Sequence, residues 1–166
     1  MCSSDLGFSV SMNSDGDRVA IGASGNDGTD SNAGHVRIYE YSSGSDSWSQ
    51  LGNDIDGEAA NDQSGRSVSM NSAGDRVAIG ASYNNGTGSY AGHVRIYEYS
   101  SSSWSQLGSD IDGEAASDYS GYSVSMNSDG DRVAIGAWYN DGTGSYAGHV
   151  TITEYSTSIA NPAPPT

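Results

Sequence analysis

Lysine is absent from these 166 residues. Six arginines carry all the positive charge against 21 Asp and Glu, which leaves a formal net charge of −15 and a pI near 4.1. A nucleic-acid binder needs a basic footprint that displaces counterions from phosphate. None exists here, so nucleic acid is not an expected partner. An acidic surface is also repelled by anionic lipid headgroups, and no apolar run approaches the length of a bilayer span, so membrane insertion is not expected. Cysteine is nearly missing too: Cys2 stands alone, which rules out an internal disulfide framework. No stretch keeps a helical period. No G-x-S-x-G elbow occurs. The "GTGSYAG" segments at Gly86 and Gly142 are one residue too long for a dinucleotide fingerprint and lead into a strand where a helix is required.

What is present is glycine, serine, acid and tyrosine. Hydrophobic residues make up 34% and mean hydropathy is −0.54, yet there are 11 Tyr and 3 Trp. Disordered chains lack such aromatics, so an ordered fold is expected. The acidic surplus keeps a protein soluble and would also welcome divalent cations or cationic surfaces.

The dominant signal is internal repetition. "GFSVSMNSDGDRVAIGA" at Gly7 returns as "GRSVSMNSAGDRVAIGA" at Gly65 and "GYSVSMNSDGDRVAIGA" at Gly121. Each repeat predicts four short strands: "SVSM", "RVAIGA", "GHVRIYEY", and "WSQLG" running on to Ile55 in the first copy. Alternating apolar and polar residues between Gly, Asn, Asp and Ser clusters is the strand signature. The first two repeats differ in length at one place, where "SSGSDSWSQLG" at Ser42 shortens to "SSSSWSQLG" at Ser100. Such a difference marks an exposed loop tip.

A four-stranded unit of this size is that of a propeller blade. The expected fold is therefore all-β: an incomplete β-propeller of about three four-stranded antiparallel blades, at residues 7–64, 65–120 and 121–157. In the third, "STSIANPAPPT" replaces the fourth strand, and 158–166 reads as a Pro-rich linker. Residues 1–6 are expected to be a non-native leader, because Cys-Ser-Ser-Asp-Leu is what the end of a common sequencing adapter encodes. The chain is then expected to be a fragment of a larger ring, whose remaining blades belong to the same full-length chain.

At these residues the pattern resembles the FG-GAP repeat of integrin-α-type β-propellers. "GFSVS" is similar to the segment opening the family's first strand, "VAIGAS" and "VAIGAW" to the segment closing the second, and "AGHVRIYEY" to the third strand. The Phe-Gly order is not kept, and Ser or Trp stands where the family has Pro. The resemblance implies a calcium loop between the first two strands and ligand contacts at one end of the ring.

Within that loop, Asn13, Asp15 and Asp17 alternate, but Arg18, Val19, Ala20 and Ile21 follow, and Ala73 replaces Asp15 in the second copy. A calcium loop needs about six to eight oxygens. The stretch is read instead as a hairpin turn with Gly16, Gly74 and Gly130 in left-handed backbone. A denser acidic cluster lies in the joins between blades: Asp54, Asp56, Glu58 and Asp62, then Asp110, Asp112, Glu114 and Asp118. These can hold Ca²⁺ or Mg²⁺, or be solvated loops whose Asp side chains cap turns. His35, His93 and His149 fall in one frame, which suits a hydrogen bond at the start of a strand. Arg18, Arg76 and Arg132 also repeat in frame and can pair with a carboxylate or snorkel.

Repeat-to-repeat differences gather in the loop between strands two and three and in the join to the next blade. In an antiparallel meander both connections lie at one end of the blade. They hold Tyr83, Tyr90, Tyr119, Tyr122, Trp138, Tyr139 and Tyr146. Rigid aromatics among small polar residues are the composition of a binding surface. The expected role is extracellular or cell-surface recognition or adhesion, with a protein or glycan ligand held by this face; a calcium-stiffened spacer is the alternative. Near-identical blades offer no asymmetric set of nucleophile, base and oxyanion donors, so an enzyme is not expected. No cofactor is expected beyond Ca²⁺. The sequon at Asn85 permits a secreted setting.

Overall fold

A computed structural model describes residues 7–142 and 144–155. The expected leader at 1–6 and linker at 158–166 lie outside the described residues, as does Cys2. Every element among the described residues is a strand: β1 Ser9–Met12, β2 Arg18–Ala23, β3 His35–Ser42, β4 Ser47–Gln50, β5 Ile55–Asp56, β6 Ser67–Met70, β7 Arg76–Ala81, β8 His93–Ser100, β9 Ser103–Gln106, β10 Ile111–Asp112, β11 Ser120–Met126, β12 Arg132–Ala137 and β13 His149–Glu154. They form three antiparallel sheets, β1–β5, β6–β10 and β11–β13.

The "NSDGD" turn joining the first two strands of each sheet is stapled by its asparagine. The Asn13 carboxamide oxygen accepts from the Asp17 and Arg18 amides at 3.1 and 2.9 Å, and its NH₂ donates to Asp17 Oδ1 at 2.7 Å. Asn71 and Asn127 repeat this arrangement. Gly16, Gly74 and Gly130 sit at φ +73°, +71° and +71°, where a Cβ would be strained. The stretch thus folds as a turn whose acid serves its own asparagine.

The fourth strand differs from its expected continuous form. Gln50 pairs with Tyr39 and Ile55 with Val36, so four residues on this strand stand opposite two on β3. The two extra residues bulge at Gly52, φ +77°, and split the strand into β4 and β5. The bulge swings Asp54 onto Arg37, whose guanidinium donates to the carboxylate at 2.9–3.1 Å. The length difference between repeats falls at the β3–β4 and β8–β9 hairpin tips. In the shorter, Ser101 and Ser102 have φ of 51° and 66°, the two left-handed residues of a two-residue hairpin.

The sheets stack face to face, with β1, β6 and β11 side by side. Where two sheets meet, the serines of one "SVSM" strand face the following sheet and the Val and Met of the next such strand face back. Ser9 Oγ donates to the Gly65 carbonyl at 2.8 Å, and the Met70 amide donates to Ser11 Oγ at 2.9 Å. One core lies between the first two sheets, with Val36, Ile38 and Ile55 against Val68, Met70 and Ile79. A second lies between the next two, with Val94 and Ile96 against Val133 and Ile135. Gly22 and Gly80 are required here, since a Cβ on either would meet the carbonyl oxygen of Gly65 or Gly121 in the adjoining sheet.

Candidate functional site

The β2–β3 loop and the join leaving β5 are zipped together by backbone hydrogen bonds. Asn61, Gln63 and Ser64 donate to the Ser31, Asn32 and Ala33 carbonyls. Ser117, Tyr119 and Ser120 do the same to Ser89, Tyr90 and Ala91 in the second sheet. The two connections therefore share one end of the stack. Carboxylates lock this end across sheets. Asp62, 2% exposed, accepts from the Ala59 amide at 3.2 Å and from Asn84 of the next sheet at 2.9 Å. Asp118 does the same with Ala115 and Asn140, both at 2.9 Å.

On this platform the expected aromatic residues meet in one network. Tyr83 packs edge-on against Tyr90 at 5.7 Å and Tyr119 at 5.4 Å between ring centroids, and Tyr90 and Tyr119 stack at 5.8 Å. Tyr119 continues to Trp138 at 6.1 Å and Tyr139 at 5.7 Å. Trp138 then meets Tyr122 at 5.5 Å and Tyr139 at 4.5 Å, and Tyr139 reaches Tyr146 at 4.3 Å. Tyr90, Tyr122, Trp138 and Tyr146 remain exposed. The patch crosses from the second sheet to the third without a gap.

Backbone geometry holds several of these rings. Tyr90, Tyr119 and Tyr146 adopt φ of 55°, 54° and 57°. Such a conformation costs a bulky side chain of order 1–3 kcal/mol. The Asn85 side chain accepts from the Tyr90 amide at 2.9 Å, and Asp141 accepts from Tyr146 at 2.6 Å. In the first repeat the matching positions are Asn32 and Gln63, with φ of 51° and 55°. The backbone path is thus common to the repeats, and asparagine tolerates it better than tyrosine does.

Arg66 is a part of this face that sequence reasoning missed. Its guanidinium lies over Phe8 at 4.7 Å, Tyr122 at 5.0 Å and Tyr83 at 5.8 Å, within cation–π range. The signal was in the sequence: "GFS", "GRS" and "GYS" place Phe8, Arg66 and Tyr122 in one frame.

The structure separates the acids of each join. Asp62 and Asp118 are buried staples. Asp54 is held by Arg37 and by Gln50 at 2.6 Å, and Asp110 by Gln106 at 2.6 Å. The Arg37 guanidinium beside Asp54 holds its carboxyl below the ordinary carboxylate value of 3.8, against a smaller opposing effect of burial. Asp56 offers its carbonyl to Arg95 at 2.8 Å. Convergence occurs instead around the histidines, at His35 with Asp54 and Asp56, and at His93 with Glu58 and Asp110. Glu58 lies 3.9 Å from His93 and 3.4 Å from Arg95, Asp110 lies 3.8 Å from His93, and Glu114 lies 3.4 Å from His149. Asp112 pairs in the β10 ladder opposite His93. Burial, followed by Arg95, pushes the His93 imidazole below its ordinary 6.5, opposed by Asp110 and Glu58. The arginines already supply positive charge beside these carboxylates. A metal held there would draw on one imidazole and two carboxylates, a donor set closer to transition-metal than to calcium chemistry.

Residues 110–152 match the FG-GAP repeat family model. No curated protein matches the chain. The structure is similar to Pseudomonas aeruginosa periplasmic gluconolactonase, with a TM-score of 0.58 and 12% identity, over 89% of this chain and 39% of that one. It is also similar to Kuenenia stuttgartiensis hydrazine synthase, with a TM-score of 0.55 and 9% identity, over 92% of this chain and 33% of that one. The chain thus spans well under half of either neighbour, and at such identities the likeness concerns fold alone. Residues 110–152 carry an FG-GAP repeat, and the chain is an all-β stack of propeller-type blades.

Proposed function

We propose that this chain is a recognition or adhesion module that binds a protein or glycan through the aromatic end of its blades. The observation that carries this reading is the unbroken ring network from Tyr83 to Tyr146, built on a backbone conformation that tyrosine disfavours. Rings held at a conformational cost, with several left exposed, are better explained by a ligand than by stability. Tyrosine and tryptophan also supply a large contact area at low entropy cost.

The setting we propose is secreted, cell-surface or periplasmic. The FG-GAP repeat and the periplasmic neighbour support it, and no described helix is long and apolar enough to cross a membrane. We read the chain as a binding module rather than an enzyme because its histidines and acids recur in frame from blade to blade. The neighbours named above are enzymes on the same fold, so activity assays belong beside binding assays.

A glycan and protein array tests the reading. Binding is expected from the whole chain and a loss of at least tenfold from Tyr83→Ala, Trp138→Ala and Tyr139→Ala. Equal binding by those variants would remove this face from the function. The alternative, a calcium-stiffened spacer, draws on the acids of the joins between blades, Asp54, Asp56, Glu58 and Asp62 and then Asp110, Asp112, Glu114 and Asp118. It requires the melting temperature to rise with added Ca²⁺, and an unchanged melt removes it.

A further inference from the structure

Nearly every arginine in this chain is engaged by an acid. Arg18, Arg76 and Arg132 pair with Glu40, Glu98 and Glu154 at 2.7, 2.6 and 2.9 Å. Arg37 pairs with Asp54 at 2.9 Å, and Arg95 lies 3.4 Å from Glu58 and donates to the Asp56 carbonyl. Arg66 differs. Among the described residues no carboxylate comes within ion-pair distance of it, and its guanidinium donates no hydrogen bond. The sequence holds 21 acids, so the want of a partner is a matter of placement and not of supply.

Aromatic rings hold Arg66 instead. Phe8 of the first sheet and Tyr122 of the third bring their rings to 4.7 and 5.0 Å from its guanidinium carbon, and Tyr83, just after β7, lies at 5.8 Å. A ring attracts the cation as a charge but accepts no ordinary N–H···O bond, so the guanidinium is positioned with its donors still open. The side chain is half-buried, and Phe8 and Tyr122 are 58% and 41% exposed. A planar fork held in this way matches the two oxygens of a carboxylate.

The surroundings narrow the ligand. Tyr122 passes directly to Trp138 at 5.5 Å, and both rings are exposed, which gives flat apolar surface beside the cation. Such faces suit the C–H side of a sugar ring. Backbone groups of the two connecting loops are already bonded to each other, so a peptide cannot add between them as a strand. The exposed carboxylates of these loops, Asp27, Asp30 and Asp141, can only accept. They match hydroxyl donors and repel an acidic peptide. A net charge of −15 repels a polyanion as well. One guanidinium beside exposed rings therefore fits a mainly neutral glycan with scattered carboxylates.

We propose that Arg66 binds the carboxylate of an acidic sugar residue, with Tyr122 and Trp138 stacking on the neutral sugars beside it. This rests on the reading of the aromatic end as the binding face, and it names the class of ligand.

Calorimetric titration with glucuronoxylan tests this, since that polysaccharide is a neutral xylose chain with scattered glucuronate. The comparison ligand is the same polysaccharide with its carboxyl groups reduced to alcohols. The wild type should bind the acid form about tenfold or more tightly than the reduced form, the worth of a charged hydrogen bond. Arg66→Gln should bind both forms equally, at the wild-type affinity for the reduced form, with unchanged circular dichroism. Arg66→Lys, which keeps the charge without the fork, should fall between. Reducing the ligand reads the contact even if a variant fails to fold. The proposal is overturned if the wild type does not bind glucuronoxylan, if it binds the two forms equally, or if its preference survives Arg66→Gln. Binding of poly-glutamate in place of glucuronoxylan overturns it too, because the ligand is then a peptide. Trp138→Ala separates this proposal from the reading beneath it. Unchanged affinity of that variant for both forms removes the aromatic face and the proposal together. Weaker binding by that variant, with no discrimination between the forms by the wild type, overturns the proposal alone.

Discussion

The hexapeptide "RVAIGA" occurs three times, as β2, β7 and β12, in three environments. All six residues are buried in β7, while β2 and β12 are covered mainly on one side. The hydrogen-bonded ladders are alike: Arg18 pairs opposite Glu40, Arg76 opposite Glu98 and Arg132 opposite Glu154. What differs is the number of sheets alongside. The comparison teaches that a repeat specifies its strand pairing by itself, whereas its burial belongs to the neighbours.

The largest expected effect breaks this comparison at its apolar centre. Ile79→Ala should destabilise by about 2–5 kcal/mol, the usual cost of a cavity in a closed core. Ile21→Ala, in the same place on the open first sheet, should cost well under half of that. Denaturant titration in dilute solution reads the difference; equal costs would show that the first sheet is covered as fully as the second.

The next effect concerns the staple between sheets. Asp62→Ala would leave the Asn84 carboxamide and the Ala59 amide without their buried partner. About 1–3 kcal/mol should be lost, whereas Asp56→Ala, whose carboxylate is exposed, should be nearly silent. The same titration checks both, and a cost at Asp56 matching that at Asp62 would undo the division of the join into buried staples and solvated acids.

Arginine sharpens the contrast further. Arg76 keeps 9% of its side-chain surface exposed and Arg132 58%, although both pair with a glutamate in the same register. Arg76→Ala should lower the melting temperature by several degrees. Arg132→Ala should leave it within error in dilute solution, since an exposed pair is screened by water and salt. Equal shifts at the two sites would mean that the pair matters, and not its burial.

The smallest effect is a dependence on pH. His93 is held neutral by burial, so its folded pKa lies below the ordinary 6.5. Below that pH the unfolded chain takes up the proton first, and stability falls as the pH drops from 6.5 toward the folded value. His93→Gln should flatten the melting curve over this window. An unaltered slope would assign the acid sensitivity to other groups.

Much of this organisation is legible from residue type and spacing. The "SVSM", "RVAIGA" and "HVRIYEY" strands lie where alternation and turn residues put them. The "NSDGD" stretch folds as a turn because the Asn13 carboxamide reaches back across four or five residues, a local interaction that sequence spacing reveals. The aromatic end is legible as well, because two connections of an antiparallel meander must share a side. Less legible is the bulge at Gly52. "WSQLGNDI" reads as one strand, and only the pairing of Ile55 with Val36 exposes the two extra residues. The convergence of Glu58 on His93 and Arg95 is hidden altogether, because the glutamate leaves one blade and the imidazole and guanidinium belong to the next.

The amino-acid order by itself determines the all-β character of this chain, its strand boundaries and the side on which tyrosines gather. Those features depend on contacts between residues near in sequence, which fix backbone conformation and side-chain alternation. Tertiary structure alone decides which copy of an identical segment is buried, which carboxylates become staples, and that Arg66 lies among the rings of three successive sheets. These follow from packing between units more than fifty residues apart, where identical sequences meet different neighbours.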